Sequence, residues 1–159
     1  MNCEDMVKIP ELENVLLLRA GACGMKNIVR WIYFADCLQC VQSEYKVEDY
    51  IHGGEFVILT NRSVTDNKDT LMELIGKMLA HGISALGINE GQISDELIQY
   101  AGENALPLFE LPEKYPLIDL SQILCQKLVL EENNKNLEEQ LFTSILDSEH
   151  LNRESVLAQ

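Results

Sequence analysis

The sequence predicts an α/β fold: a βαβαβ parallel-sheet core flanked by helices, with a long C-terminal helical extension. Three observations carry that reading. The runs "EFVILT", "SALGIN" and "LPLFEL" are short, apolar and of the length of strands covered on both faces. The segments between them have helical periodicity and recognisable start signals. From about Leu117 the helical pattern persists to the end of the chain. Strand, helix, strand, helix, strand at this spacing implies parallel strands joined by right-handed crossovers. A length of 159 residues fits one such domain plus an appendage.

Residues 6–18 read as a short helix or loop and then a small apolar run, "NVLLLRAG"; Gly21 and Gly24 bracket a turn. "IVRWIYF", from Ile28 to Phe34, is rich in β-branched and aromatic residues and reads as a strand. The sole tryptophan, Trp31, is expected to anchor the core from its middle. The Gly53–Gly54 pair precedes "EFVILT". A phosphate loop runs in the opposite order, strand, glycines, helix, so that the N–H groups of the helix start face the anion. The pair is therefore expected to supply positive φ or close backbone packing at the entry to the strand.

Thr65 or Asp66 is expected to cap the next helix, in which Leu71, Leu74, Ile75, Met78 and Leu79 form one face. Gly82 stands at a left-handed stop, and His81 complements the dipole at the helix end. Ser94, followed by Asp95 and Glu96, starts a second helix whose core face is Leu97, Ile98 and Ala101. In the extension, Leu120, Ile123, Leu124 and Leu128 form one apolar face. "EENNKN" then interrupts it, and Leu137, Leu141, Phe142, Ile145 and Leu146 resume the stripe. A stripe that nothing in the chain covers predicts a homodimer through the C-terminal helices. The polar gap weakens a continuous coiled coil and leaves two helices or a helical hairpin open.

Acids outnumber bases 26 to 12, a net charge of -14, which excludes nucleic-acid binding by this segment itself. No apolar run is long enough to span a membrane, and "MNCEDMVKIPELEN" lacks the features of a signal peptide, so a cytoplasmic location is expected. Of the cysteines, only Cys37 and Cys40 have metal or redox spacing. A zinc site needs about four ligands and no second pair accompanies them, so incidental reduced thiols are the expectation. A small cytosolic enzyme or thiol-redox protein using Cys37 and Cys40 is the alternative reading. No nucleophile elbow, zincin motif or phosphate loop occurs, so neither enzymatic activity nor a metal or other cofactor is expected. In an open parallel sheet, ligands bind beyond the carboxyl ends of the strands. Those ends carry Thr60, Asn61 and Arg62, then Asn89 and Glu90, then Glu110, which suit a small polar effector.

Four segments in order, "IPELEN…LLLRAGACGMKNIVRWIYFAD", "GGEFVILTN", "LAHGISALGI" and "LIQYAGENALPLFELPEKYPLIDL", resemble the N-terminal domain of PucR-type transcriptional regulators from about Met6 to Leu128. The resemblance implies a regulatory, ligand-sensing domain over residues 1–128 and a helical linker or dimerisation segment over 129–159. It also implies control of purine or related nitrogen metabolism, with DNA contacted only through a helix-turn-helix absent from this chain. The sequence departs from the family pattern in a longer segment between Asp36 and Gly53, which takes in Cys37 and Cys40. It departs again at Tyr33, and at Leu59-Thr60-Asn61, where the family has a threonine pair and a glycine.

Overall fold

Five strands form one sheet in the order β1 (Leu17–Ala20), β5 (Leu108–Leu111), β4 (Ala85–Asn89), β3 (Glu55–Leu59), β2 (Trp31–Phe34). The structure, a computed structural model, describes residues 1–36 and 45–157; in the last helix, side chains are described as far as Leu141, apart from residues 135, 136, 138 and 139. Strands β2 to β5 are parallel, with Phe56 of β3 opposite Ala85 of β4 and Leu86 of β4 opposite Leu108 of β5. The expected βαβαβ core is present. Strand β1 pairs antiparallel with β5, a strand that the apolar run "NVLLLRAG" did not declare from its sequence.

Helix α1 (Cys3–Val7) starts on a capping box: Asn2 Oδ1 accepts from the Asp5 N–H at 2.8 Å and Asp5 Oδ2 accepts from the Asn2 N–H at 3.1 Å. Helix α2 (Arg62–Thr65) is a single turn capped by Asn61, and α3 (Lys68–Ala80) is capped by Asn67. The expected caps, Thr65 and Asp66, instead close α2, because the Asn61 side chain captures the Ser63 N–H and starts a turn earlier. Helix α4 (Asp95–Glu103) starts at Ser94 as expected, with Ser94 Oγ accepting from the Leu97 N–H at 3.2 Å. Helix α5 (Leu117–Leu157) is one continuous element, so neither a second helix nor a hairpin forms.

Strands β2, β3, β4 and β5 follow one another in a single direction across the sheet, so crossovers of one hand put their helices on one face. The core agrees: Val57, Leu59, Leu86, Ile88 and Leu108 cluster with Leu71, Leu74, Ile75 and Met78 of α3 and with Leu97 and Ala101 of α4. Alternation sends Phe56, Ile58, Phe109 and Leu111 to the other face, where the Phe56 and Phe109 rings lie 5.8 Å apart. All five residues of β3 are buried, so both of its faces are covered.

Trp31 corrects one expectation. It is 54% exposed because β2 lies at the edge of the sheet, with a neighbour on one side only among the described residues. The strand also begins at Trp31 rather than Ile28, since Ile28 bridges to Asn2 and the Val29 N–H donates to the Met1 carbonyl at 2.7 Å.

The Gly53–Gly54 pair takes φ of +107° and +86°, the strand-entry role expected of it. Gly82 ends α3 in the left-handed range, and its carbonyl accepts the Gly54 N–H at 2.8 Å. The turns entering β3 and β4 are thus tied to each other.

By contacts the chain divides into two compact units, Met1–Cys125 and Gln126–Gln159. In the second unit Val129, Leu130, Leu137 and Leu141 are exposed. Phe142, Ile145 and Leu146 lie outside the residues whose side chains are described. No described helix is long and apolar enough to cross a membrane.

Candidate functional site

The carboxyl ends of β2, β3 and β4 meet in a polar network centred on Asp36. The register that sets Phe34 beside Ile58 brings Asp36, two residues past β2, level with Thr60, just past β3. Asp36 Oδ1 accepts the N–H groups of Thr60 and Asn61, the second at 2.9 Å, and Oδ2 accepts the Thr60 hydroxyl at 2.6 Å. Asn61 Nδ2 donates back to the Asp36 carbonyl at 2.9 Å, while Asn61 Oδ1 caps α2. Gln92 closes the group from the loop after β4: its Nε2 donates to the Thr60 carbonyl at 3.1 Å, and its Oε1 accepts the Thr65 hydroxyl at 2.7 Å.

The consequence for the expected ligand residues is specific. Thr60 and Asn61 spend their side chains holding the strand ends together. Glu90 Oε1 accepts the Glu113 N–H at 3.0 Å and so fixes the loop after β5. Glu110 forms an ion pair with Arg19 of β1 at 3.0 Å, toward the opposite side of the sheet from β2. The side chains of Arg62 and Asn89 have no partner among the described residues. The arrangement therefore pairs a fixed scaffold with two uncommitted groups, a guanidinium and an amide. Each of these can bond a small polar molecule without breaking an internal contact.

Asp36 and Gln92 are absent from the residues singled out in the sequence. The signal for Asp36 was available: once "IVRWIYFAD" and "EFVILTN" are read as parallel neighbours, the acid falls beside Thr60. Gln92 carries no such signal, because its position depends on the path of the loop after β4.

Cys37 and Cys40 lie outside the described residues. Cys3 is fully buried; its thiol lies 3.8 Å from the Ser84 carbonyl, and burial pushes its pKa up to about 11. Cys23 is exposed. Because the thiolate is the reactive form, a disulfide reagent at pH 8 is expected to modify Cys23 within minutes. Cys3 should react only after denaturant is added, as mass spectrometry of the native and unfolded chains would show. Rapid native labelling of Cys3 would contradict its burial.

The model of the purine catabolism regulatory protein-like family, PucR, matches residues 5–128. The chain belongs to the PucR family. A curated PucR relative, the purine catabolism regulatory protein of Bacillus subtilis (strain 168), is 33% identical over 124 residues, covering 76% of this chain and 22% of the relative. The chain thus spans between a fifth and a quarter of that PucR protein's length. The resemblance read from the four sequence segments is borne out. The PucR match takes in all five strands, the Asp36 network and the start of α5.

Proposed function

We propose that the chain is the effector-sensing and dimerising regulatory part of a transcription regulator of purine or related nitrogen metabolism. Residues 1–128 form the sensing domain and 129–159 the linker or dimerisation segment. The observation that carries the reading is the PucR family match, which extends across the whole of the strand-bearing region. DNA is contacted through a helix-turn-helix outside this chain, in keeping with a segment of net charge -14.

The effector is a small polar molecule bound where β3 and β4 end. Arg62 and Asn89 supply the contacts, and Thr60, Asn61 and Gln92 keep the strand ends rigid beneath them. A thermal-shift screen of purines, ureides and amino acids tests this part. A stabilising compound should lose its effect with Arg62→Met or Asn89→Ala, and a compound that stabilises both variants as well as the parent would remove the site from this end of the sheet.

The exposed Leu130, Leu137 and Leu141 support dimerisation, since a leucine buried at an interface contributes about 1.5–3 kcal/mol. Light scattering should give the mass of a dimer. Leu137→Glu with Leu141→Glu should weaken it at least about 100-fold and leave a monomer with unchanged thermal unfolding of the sheet domain. A monodisperse monomer before substitution would rule the helix out as the dimer contact.

A further inference from the structure

A cleft of about 480 Å³ opens at the other, amino-terminal end of the same strands. Its walls come from the segment before β2, the glycine turn before β3 and the turn before β4. Two of the polar side chains that line it have spent their donors. Asn27 Nδ2 donates to the carbonyl oxygens of Ser84 at 3.2 Å and Ala105 at 3.4 Å, and the Ser84 hydroxyl donates to the Ile28 carbonyl. The side-chain donors that remain are the Arg30 guanidinium and the His52 ring, and neither has a partner among the described residues.

Arg30 is held in place by what Gly54 lacks. A Cβ on Gly54 would come within 2.9 Å of Arg30 Cγ and 3.0 Å of Cδ, so the arginine stem lies directly on the glycine backbone. The Arg30 N–H donates to the Gly54 carbonyl at 2.7 Å, and the Gly54 N–H donates to the Gly82 carbonyl at 2.8 Å. These bonds fix the walls before any ligand arrives. Among the described residues no carboxylate lines the cleft, in a chain where acids outnumber bases 26 to 12. The nearest acid in sequence, Glu55, is buried under the turn. Its Oε2 accepts the His52 N–H at 2.8 Å, and its Oε1 is enclosed without a partner.

An uncommitted guanidinium in the same cleft as a second N–H donor, with no competing carboxylate among the described lining residues, suits a planar or tetrahedral oxyanion. We propose that this cleft binds a small oxyanion, with Arg30 taking two of its oxygens as a fork and His52 donating one ring N–H. Carboxylate and phosphate share the required chemistry. The site is separate from the one at the carboxyl ends of the strands and does not rest on it.

Two-dimensional NMR of the whole chain tests the site, with sodium phosphate and sodium acetate each titrated against sodium chloride at matched ionic strength. The expected result is a saturable shift of the Gly53 and Gly54 amides and of the His52 ring. Saturation by phosphate alone identifies a phosphoryl ligand, by acetate alone a carboxylate, and by both a general oxyanion site. Arg30→Met keeps the stem over Gly54 but removes the fork, and should weaken binding at least about tenfold. Lys68→Met, which removes an exposed cation at the start of α3 outside both candidate sites, should change nothing. The inference is overturned if neither salt exceeds the chloride control, if Arg30→Met binds like the parent, or if Lys68→Met loses the shift as fully as Arg30→Met does. Should Arg30→Met fail to fold, Arg30→Lys decides: it keeps the charge without the fork, and undiminished affinity would overturn the assignment.

Discussion

Gly87→Ala is expected to lower stability by about 2–3 kcal/mol, although it adds a single methyl group to a strand. Gly87 sits in the middle of β4, between Ile58 of β3 and Phe109 of β5. A Cβ there would come within 2.8 Å of Phe56 Cε1, 3.1 Å of Cζ and 3.3 Å of Leu111 Cδ1. Phe56 is fully buried and packs against Phe109, so its ring has no open space to move into. The glycine is what lets the two rings approach across the central strand. Gly102→Ala in α4 is the control: nothing lies within 4 Å of its added carbon, and the change should stabilise by up to about 1 kcal/mol through helix propensity. Urea unfolding of both variants gives the comparison. Combining Gly87→Ala with Phe56→Leu should recover part of the loss, and strict additivity would show that the ring is not the obstacle.

Asp36→Ala is expected to cost about 3 kcal/mol, with the damage confined to one end of the sheet. One carboxylate accepts from two backbone N–H groups and a hydroxyl, all on Thr60 and Asn61. Removing it leaves those donors without their acceptor where two strands finish. Asp36→Asn keeps an oxygen for the backbone pair and should cost about 1 kcal/mol, since hydrogen bonds to a charged acceptor exceed neutral ones by roughly that amount. Hydrogen exchange localises the effect: the Thr60 and Asn61 amides should lose protection in the alanine variant, while those of β5 keep theirs. A cost below about 0.5 kcal/mol for alanine would mean that water replaces the carboxylate without penalty.

The parts of the fold that the sequence made legible are those in which one local pattern has one structural solution. The apolar runs of β3, β4 and β5 left no solvated face, and the i, i+3, i+4 spacing of Leu71, Leu74, Ile75 and Met78 fixed the buried side of α3. Ser94 and Gly82 marked helix ends because each satisfies backbone groups by its own chemistry. Strand β1 was missed because an edge strand of four residues has an exposure pattern that any loop can share. Trp31 was misjudged for a related reason. Composition identifies a strand, whereas its place in the sheet order decides whether an aromatic on it is covered.

The candidate site was legible in location and not in role. Thr60 and Asn61 do stand where β3 ends, yet their side chains are occupied by Asp36 and by the start of α2. Which groups are left over, Arg62 and Asn89, follows from tertiary pairing that sequence spacing does not encode. The amino-end cleft was less visible still. Arg30 and His52 are far apart along the chain, and only the Gly54 carbonyl and the bare Gly54 backbone bring the first of them against the turn that carries the second.

The short length of β3 also sets how its two ends can influence each other. Five residues of strand span about 16 Å, roughly twice the distance over which physiological salt screens a charge. Arg30 lies before one end of that span and Arg62 beyond the other, so neither guanidinium feels through solvent whether its counterpart has met an anion. Any influence of one pole on the other has to pass along the strand as a displacement of packed backbone. A strand buried at every position, with Gly54 fixed at its entry and Asp36 clamping its exit, transmits such a displacement as a rigid rod or not at all.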